Sequence, residues 1–441
     1  MKTVHQTDRS ASMRKSPSDV PRPPDGVTAR LRQLRVALVH DWLVTLGGAD
    51  RVLLALHEVF PQAPVFVGLH DLRRLPDSFR QLDVRATWLQ QIPGAAQRHR
   101  LLVPLMPLAF GHLVLRGYDV VISSSHACAH SVSVPGALHI CYCHTPMRYA
   151  WDLRGEYLAA LPGVARPAAR LMLAWLRRRD RAAAEGVDQF IANSQHVASR
   201  IRRHYGREAT VIYPPVDTEF FTPTGDPAEE STQSSQSAQS SRSTAESSGD
   251  RADREDFYLV VSRLVPYKRV DVALEAFNRL DRRLVIVGDG PERGRLQSMS
   301  GPHVRFVGEL GDAALRRYYR QCRALVFPGE EDFGLVPVEA QACGRPVIAY
   351  RRGGALESVA PGVTGIFFAE QTPDALMAGI RAAEATTFDA AAIRRHTMQF
   401  SQQRFTAQIA EFVAAALTQS RSRAVARSGP SESRITNHES P

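Results

Sequence analysis

The sequence predicts an α/β protein of two doubly wound domains, each a parallel sheet covered by helices on both faces, meeting across a cleft. Three observations carry this. Short runs such as Val36-Ala37-Leu38-Val39-His40 and Ala324-Leu325-Val326-Phe327 are apolar without alternation, as strands buried on both faces require. Between such runs lie stretches with apolar residues at helical spacing, so strand and helix alternate. The rhythm then stops at a Ser/Gln-rich segment with almost no large apolar residue and restarts beyond it, which divides the chain in two.

The bulk properties agree. A chain of 441 residues holds two or three domains of ordinary size, and 44% hydrophobic residues suit sizeable cores. Lys and Arg number 55 against 45 Asp and Glu, a net charge of +10. The excess is dispersed, with 20 basic against 15 acidic residues over 36–221 and 20 against 17 over 257–418. A nucleic-acid binder concentrates basic charge on one element with aromatic residues between, so no nucleic-acid partner is expected. Only Lys2, Lys15 and Lys268 are lysines, and Lys268 alone falls where the chain should fold. Five cysteines (Cys128, Cys141, Cys143, Cys322, Cys343) lack disulfide-framework spacing, which suits a reducing compartment. Cys141-Tyr142-Cys143-His144 lacks C-x₂-C spacing and a downstream ligand pair, which argues against zinc. Residues 1–34 contain no apolar signal-peptide core. No run reaches the ~18 apolar residues that cross a bilayer, so a cytoplasmic location is expected.

In chain order, residues 1–34 read as a disordered tail and 35–221 as the first domain. Its first strand, 36–40, leads through Asp41-Trp42-Leu43-Val44-Thr45-Leu46-Gly47-Gly48 into a helix carried by Val52, Leu53, Leu56, Val59 and Phe60. Further strands are expected at 65–69, 120–124, 140–143, 190–193 and 211–213, and helices at 168–185 and 196–205. Residues 222–256 form the expected disordered Ser/Gln-rich linker. The second domain, 257–418, should hold strands at 258–262, 284–287, 304–307, 324–327, 347–349 and 366–368. Helices alternate with them at 270–280, 291–299, 313–322, 338–342 and 374–385, and an amphipathic stretch, 405–417, follows. The last helices are expected to be able to pack back on the first domain, and 419–441 reads as a second disordered tail.

The chemistry gathers around residues 327–357. Glu331 follows a buried strand closed by Pro328-Gly329, and Glu339 sits one turn into a helix that Pro337 can start and Gly344 can end. Strand end, loop and helix N-terminus form the crevice where doubly wound sheets bind ligands. Arg263 and Lys268 lie on the loop after the first strand of the second domain. A planar guanidinium, a compact ammonium and backbone amides together suit a diphosphate. Gly288-Asp289-Gly290 and Gly47-Gly48 look like nucleotide-loop glycines but lack the third glycine of G-x-G-x-x-G, which argues against a nicotinamide enzyme. Gly353-Gly354, opening a helix through Glu357, reads as another anion-friendly terminus. No P-loop and no D-x-D pair is present, so phosphates would be neutralised by Arg263, Lys268 and helix termini, with no metal. His144, after a strand and restrained by Thr145-Pro146, either faces the cleft or is a buried structural histidine. The helix containing Arg166 to Arg181 places Leu171, Leu173, Trp175 and Leu176 beside Arg177, Arg178 and Arg179. That pattern fits an interfacial helix on an anionic membrane or a helix packed on its own sheet with a solvated basic edge.

Together these residues resemble the family 4 retaining glycosyltransferases of GT-B fold, with two Rossmann-like domains. The E-x₇-E motif is matched by Glu331 to Glu339, the Arg-x₄-Lys pair by Arg263 and Lys268, and Gly-Gly-x-x-Glu by Gly353 to Glu357. The first domain is similar to a bacterial surface-polysaccharide subgroup through His40 to Leu53 and Tyr142 to Asp152. The resemblance implies a hexosyltransferase, a mannosyltransferase using GDP-mannose, that extends a polyprenyl-diphosphate-linked glycan of exopolysaccharide, capsule or O-antigen. It implies peripheral contact with the inner membrane and no cofactor beyond the nucleotide sugar. Glu339 would hold the ribose and Glu331 the hexose, while backbone amides of Phe333, Gly334 and Leu335 contact sugar and phosphate. Arg263 and Lys268 would stabilise the departing diphosphate. His144 would lie near the anomeric carbon, and Gly47, Gly48, Gly288 and Gly290 would let backbone approach the substrates. Asp332 departs from the family, which has a small or uncharged residue there, and so could share the role of Glu331. A UDP-sugar donor, a sugar-nucleotide epimerase and a non-catalytic nucleotide-sugar binder fit the same residues.

Overall fold

A computed structural model describes residues 31–159, 161–223 and 256–427. The expected tails and linker lie largely outside these residues. At their edges Leu31 is buried in the first core, so the ordered chain starts before residue 35.

The first sheet has seven parallel strands: β1 (Val36–His40), β2 (Val65–Val67), β3 (Val84–Ala86), β4 (Val120–Ser125), β5 (Leu138–Cys143), β6 (Gln189–Ala192) and β7 (Ala209–Val211). Their order is β3-β2-β1-β4-β5-β6-β7. The second has six parallel strands: β8 (Phe257–Val261), β9 (Arg283–Val287), β10 (Val304–Gly308), β11 (Ala324–Phe327), β12 (Val347–Tyr350) and β13 (Gly365–Phe368). Here the order is β10-β9-β8-β11-β12-β13. Both sheets reverse direction of growth at one point, between β1 and β4 and between β8 and β11. In doubly wound sheets the ligand crevice opens at the carboxyl ends of those strands. Arg263 and Lys268 follow β8, and Glu331 follows β11, so both expected groups flank the second sheet's switch point.

The strongest strand signals hold because β1, β4, β5 and β11 are buried along their whole length. The short strand β3 has no signal in the sequence: Val84 is half-buried while Arg85 and Ala86 are exposed, so no apolar run marks it. The strand expected at 211–213 is instead Ala209–Val211, paired with β6 from Phe190 to Ala192.

Five helices position the site and join the domains: α1 (Gly48–Val59), α2 (Arg166–Glu185), α3 (Gln195–Tyr205), α4 (Leu335–Ala342) and α5 (Gln402–Arg427). On α2 the side chains of Leu173, Leu176, Asp180 and Ala184 are buried, while Leu171 is 74% and Trp175 37% exposed. The apolar residues that looked like one face are therefore two faces, one packed on the domain and one open. Helix α5 runs to Arg427, so part of the expected tail from 419 is helical. It crosses back to the first domain, where Phe405, Ile409, Ala410, Val413 and Ala416 join the core formed by β1, β2 and α1.

Candidate active site

The loop after β11 turns sharply into α4 through Gly334, whose φ of 84° favours glycine, and any Cβ there would come within 2.9 Å of the Phe327 ring. That turn starts α4 at Leu335 rather than at Pro337, placing Pro337 within the first turn where its missing N–H costs nothing. Phe333 buries its side chain against Tyr213 and Phe400, at 5.5 and 5.4 Å between ring centroids, so only its backbone is available to a ligand.

Lys268, ending a short turn of helix over Pro266–Lys268, forms an ion pair with Glu331. The two loops are close because Gly329 lies against the Lys268 backbone, with a Cβ position 3.0 Å from the Lys268 carbonyl oxygen. The Lys268 ammonium lies 5.4 Å from the Tyr267 ring centroid, and the Arg148 guanidinium of the first domain lies 5.5 Å from the same centroid. Arg263, beyond β8, is exposed, and its guanidinium makes no hydrogen bond or ion pair among the described residues. Across the cleft Arg100 faces the same charge: burial first and the Arg263 charge second lower its pKa. His99 feels both arginines and is likewise held below its ordinary value, chiefly by burial. Gly288 and Gly290 support this loop, packed so closely on Ser262 and Leu264 that a Cβ would sit 2.0 and 2.3 Å from their carbonyl oxygens.

Glu339 is 6% exposed on α4. Its Oε2 accepts a hydrogen bond from the Tyr319 hydroxyl at 2.8 Å, and Oε1 has no hydrogen bond among the described residues. Burial raises its pKa, with the positive charge of Arg51 from the first domain pulling the other way. Gly48, also on the first domain, packs on the Leu335 side chain at the start of α4, and Gly47 donates its N–H to Asp50 at 2.7 Å.

Asp332 faces the first domain. Its carboxylate is taken by two arginines of the first domain: Arg148 at 2.7 and 2.9 Å, and Arg200 at 2.6 Å. Its carbonyl oxygen accepts from the Ser194 hydroxyl at 2.6 Å. Arg200 also binds Asp152 and donates to Thr145 Oγ1 at 2.5 Å. The acid that departs from the family pattern is thus an interdomain tie. Asp332→Asn should loosen it, since removing one charge of a buried pair costs ~3–5 kcal/mol at most and Arg200 keeps Asp152. The expected result is a larger radius of gyration by small-angle X-ray scattering and a several-fold higher donor KM; unchanged values would show that the tie does not hold the cleft.

Gly353 and Gly354, read as an anion-friendly terminus, pack against the chain itself. The helix it opens, Ala355–Ser358, is a single turn, and the two glycines pack under the Glu331–Phe333 loop, with Cβ positions 2.3 Å from the Glu331 carbonyl oxygen and from Phe333 Cα. Glu357 instead reaches the first domain, accepting from the backbone N–H groups of Gln195 and His196 at 2.7 and 3.0 Å. There it caps the positive end of α3.

His144 follows β5 and is 8% exposed. Its Nε2 lies 2.8 Å from Ser124 Oγ, and its carbonyl oxygen accepts from Asn193 at 3.0 Å. Burial, helped by His126 and His40, pushes its pKa well below the ordinary value, so the ring is neutral at pH 7. It is tied to the cleft through its neighbour: Thr145 and Asp332 share the same Arg200 nitrogen. Among the described residues no group of three or more His, Cys, Asp or Glu is placed to hold a metal, and no helix is long and apolar enough to cross a membrane.

The structure therefore joins Lys268 with Glu331, sets Arg263 opposite Arg100, and places Glu339 on α4, the helix into which the Glu331 loop leads. Sequence reasoning missed Arg51, Arg100, Arg148, Arg200 and Tyr319. Arg148 lies inside the conspicuous run from Tyr142 to Asp152, but its partner is 184 residues away.

Residues 46–220 match the Glycosyltransferase Family 4 model, and residues 241–398 match Glycosyl transferases group 1. A D-inositol 3-phosphate glycosyltransferase of Nocardiopsis dassonvillei is 33% identical over 211 residues, 43% of this chain and 46% of the relative. A GDP-mannose-dependent alpha-mannosyltransferase of Mycolicibacterium smegmatis is 45% identical over 107 residues, 24% of this chain and 28% of the relative. The chain spans about half the length of the curated relatives it matches first. Among solved structures, Anabaena HepE in complex with UDP superposes with a TM-score of 0.60 at 19% identity, covering 87% of this chain and all of that one. Sucrose-phosphate synthase from Thermosynechococcus elongatus gives 0.56 at 19%, covering 90% and 100%. These likenesses fit the GT-B arrangement of two Rossmann-like domains. One glycosyltransferase family model is thus matched in each domain of a chain with the GT-B fold.

Proposed function

We propose that the chain is a retaining, metal-independent glycosyltransferase that moves mannose from GDP-mannose onto a polyprenyl-diphosphate-linked glycan, in the assembly of a surface polysaccharide at the cytoplasmic face of the inner membrane. One observation carries the reading: the ion pair of Lys268 with Glu331 at the switch point of the second sheet. A diphosphate entering there would draw Lys268 from Glu331 and relieve the repulsion between Arg263 and Arg100. Glu331, released, would accept hydrogen bonds from hexose hydroxyls, while Glu339 Oε1 holds the ribose. The bond from the anomeric carbon to the diphosphate oxygen breaks as the acceptor hydroxyl approaches on the same face, and its proton passes to the departing phosphate oxygen. Arg263, Lys268 and the amides of Phe333, Gly334 and Leu335 carry the growing negative charge. The Mycolicibacterium smegmatis relative supports the donor.

For the membrane contact, Val164 is 93%, Leu171 74% and Tyr157 51% exposed, beside Arg166, Arg170 and Arg178. Apolar tips among arginines suit anionic headgroups. The paired substitution of Leu171 and Trp175 by Asp should reduce co-flotation with anionic vesicles at least several-fold without changing transfer to a soluble acceptor. Equal flotation would remove the membrane from the proposal.

The central test offers labelled GDP- and UDP-sugars to the purified protein with a membrane-lipid fraction, followed by linkage analysis. Transfer from GDP-mannose to lipid supports the reading; transfer only from a UDP-sugar replaces the donor. Donor conversion without acceptor indicates an epimerase, and binding without turnover a non-catalytic binder. The D-inositol 3-phosphate relatives favour one alternative acceptor, a small phosphorylated polyol, so that compound forms a separate arm.

A further inference from the structure

Four buried polar side chains link α1 to His144. Asp50 Oδ1 lies 3.1 Å from His40 Nε2, His40 Nδ1 lies 3.1 Å from Ser124 Oγ, and Ser124 Oγ lies 2.8 Å from His144 Nε2. Asp50 is 6% exposed, His40 and Ser124 are fully buried, and His144 is 8% exposed. The four come from α1 and from the carboxyl ends of three neighbouring strands, β1, β4 and β5. None of Asp50, His40 and Ser124 reaches the Lys268–Glu331 loop.

With His40 neutral, counting hydrogens gives the chain a direction. The Asp50 carboxylate only accepts, and its second oxygen already takes the Gly47 N–H at 2.7 Å. His40 therefore presents Nε2–H to Asp50, and in the neutral ring its Nδ1 is a lone pair. Ser124 has one hydrogen, which goes to that lone pair, so Ser124 Oγ receives Nε2–H from His144. The remaining nitrogen of His144, Nδ1, is then a bare acceptor with no partner among the described residues. We propose that Asp50, acting through His40 and Ser124, is a positioning residue that fixes the tautomer of His144 so that Nδ1 accepts a hydrogen bond from a sugar hydroxyl of donor or acceptor. This rests on the glycosyltransferase reading for its kinetic consequences, though not for the tautomer itself. His144 takes no proton permanently; it orients a hydroxyl.

Asp50→Asn is the sharp test. With one carbonyl oxygen capping Gly47, the amide NH₂ faces His40 Nε2 and reverses every donor in the chain, leaving His144 with Nδ1–H. In protein labelled with ¹⁵N-histidine, the unliganded wild type should show His144 protonated at Nε2, and Asp50→Asn should show it protonated at Nδ1. The variant should lose roughly 10- to 100-fold in kcat/KM, the loss expected when a buried group meets a donor where it needs an acceptor. If a donor hydroxyl is the partner, affinity for the nucleotide sugar falls while affinity for the free nucleotide does not. If an acceptor hydroxyl is the partner, the acceptor KM or kcat changes instead. Should Asp50→Asn fold poorly, Ser124→Thr must retain activity that Ser124→Ala loses. An unchanged His144 tautomer, or activity of both Asp50→Asn and Ser124→Ala within twofold of wild type, overturns the proposal. Wild-type protein that transfers no sugar while showing the expected tautomers would instead fault the functional reading alone.

Discussion

Lys268→Ala should yield a folded protein whose transfer rate falls on the order of 10²- to 10³-fold, the loss seen when one preorganised donor to a developing anion is removed. At the cleft Lys268 is 14% and Glu331 22% exposed at the side chain, and each is the other's ion-pair partner. Stability should fall, because removing one member of a largely shielded pair leaves the other charge uncompensated, at a cost of ~3–5 kcal/mol at most. The loss should fall on kcat more than on donor KM, since negative charge on the diphosphate is greatest as the bond breaks. Lys268→Arg should recover part of the rate but not all, because a planar fork does not replace a compact ammonium on the same short turn. Glu331→Ala should also lose transfer, yet with a different signature: it frees Lys268 for phosphate, so affinity for the bare nucleotide should hold or rise while turnover collapses. Steady-state kinetics with isothermal titration of donor and nucleotide separate the two. Full activity of purified Lys268→Ala would end the diphosphate role assigned to it.

Legibility in the sequence tracks which interactions are local. Strands such as Val36–His40 and Ala324–Phe327 announce themselves because burial on both faces leaves a purely apolar run, and the position of Arg263, Lys268 and Glu331 at strand ends follows from the alternation. The direction taken by Asp332 does not. Its side chain is directed by Arg148 and Arg200, 184 and 132 residues away, on an opposing domain. Nothing within the Glu331-to-Glu339 motif encodes those partners. The Gly353-Gly354 pair illustrates the converse. Glycine signals close approach, and the approach seen is that of the chain's own loop over Glu331–Phe333. His40 and Asp50 stand ten residues apart in one run, but only the order β1-β4-β5 brings Ser124 between His40 and His144. Short β3 and residues 419–422 of α5 escape sequence reading because their burial is one-sided or absent.

The return of α5 to the first domain sets the second large effect. Phe405 is 1% exposed and Ile409 and Val413 are fully buried in the core that holds β1, β2 and α1. Phe405 meets Tyr142 edge to face at 5.7 Å, and the Tyr142 hydroxyl is anchored on the Ile212 carbonyl at 2.9 Å. Tyr142 stands two residues before His144, so this aromatic contact ties the last helix to the strand that delivers the histidine. Phe405→Ala should cost ~3–5 kcal/mol, the transfer loss of a phenyl ring plus an unrelaxed cavity. Against a native stability of ~5–15 kcal/mol that is a large share. Truncation after Ser401 adds the loss of Ile409 and Val413, each of the order of 1–3 kcal/mol in burial alone. It should leave the first domain unable to hold its fold, even though every residue of its sheet remains. Urea unfolding of Phe405→Ala, followed through the tryptophans, measures the first cost. Limited proteolysis of the truncated chain tests the second: rapid cleavage between β1 and β5 is expected, with the second domain surviving. A truncated protein with a protected first domain would mean that α5 is a detachable strap and that its apolar face does not complete the core.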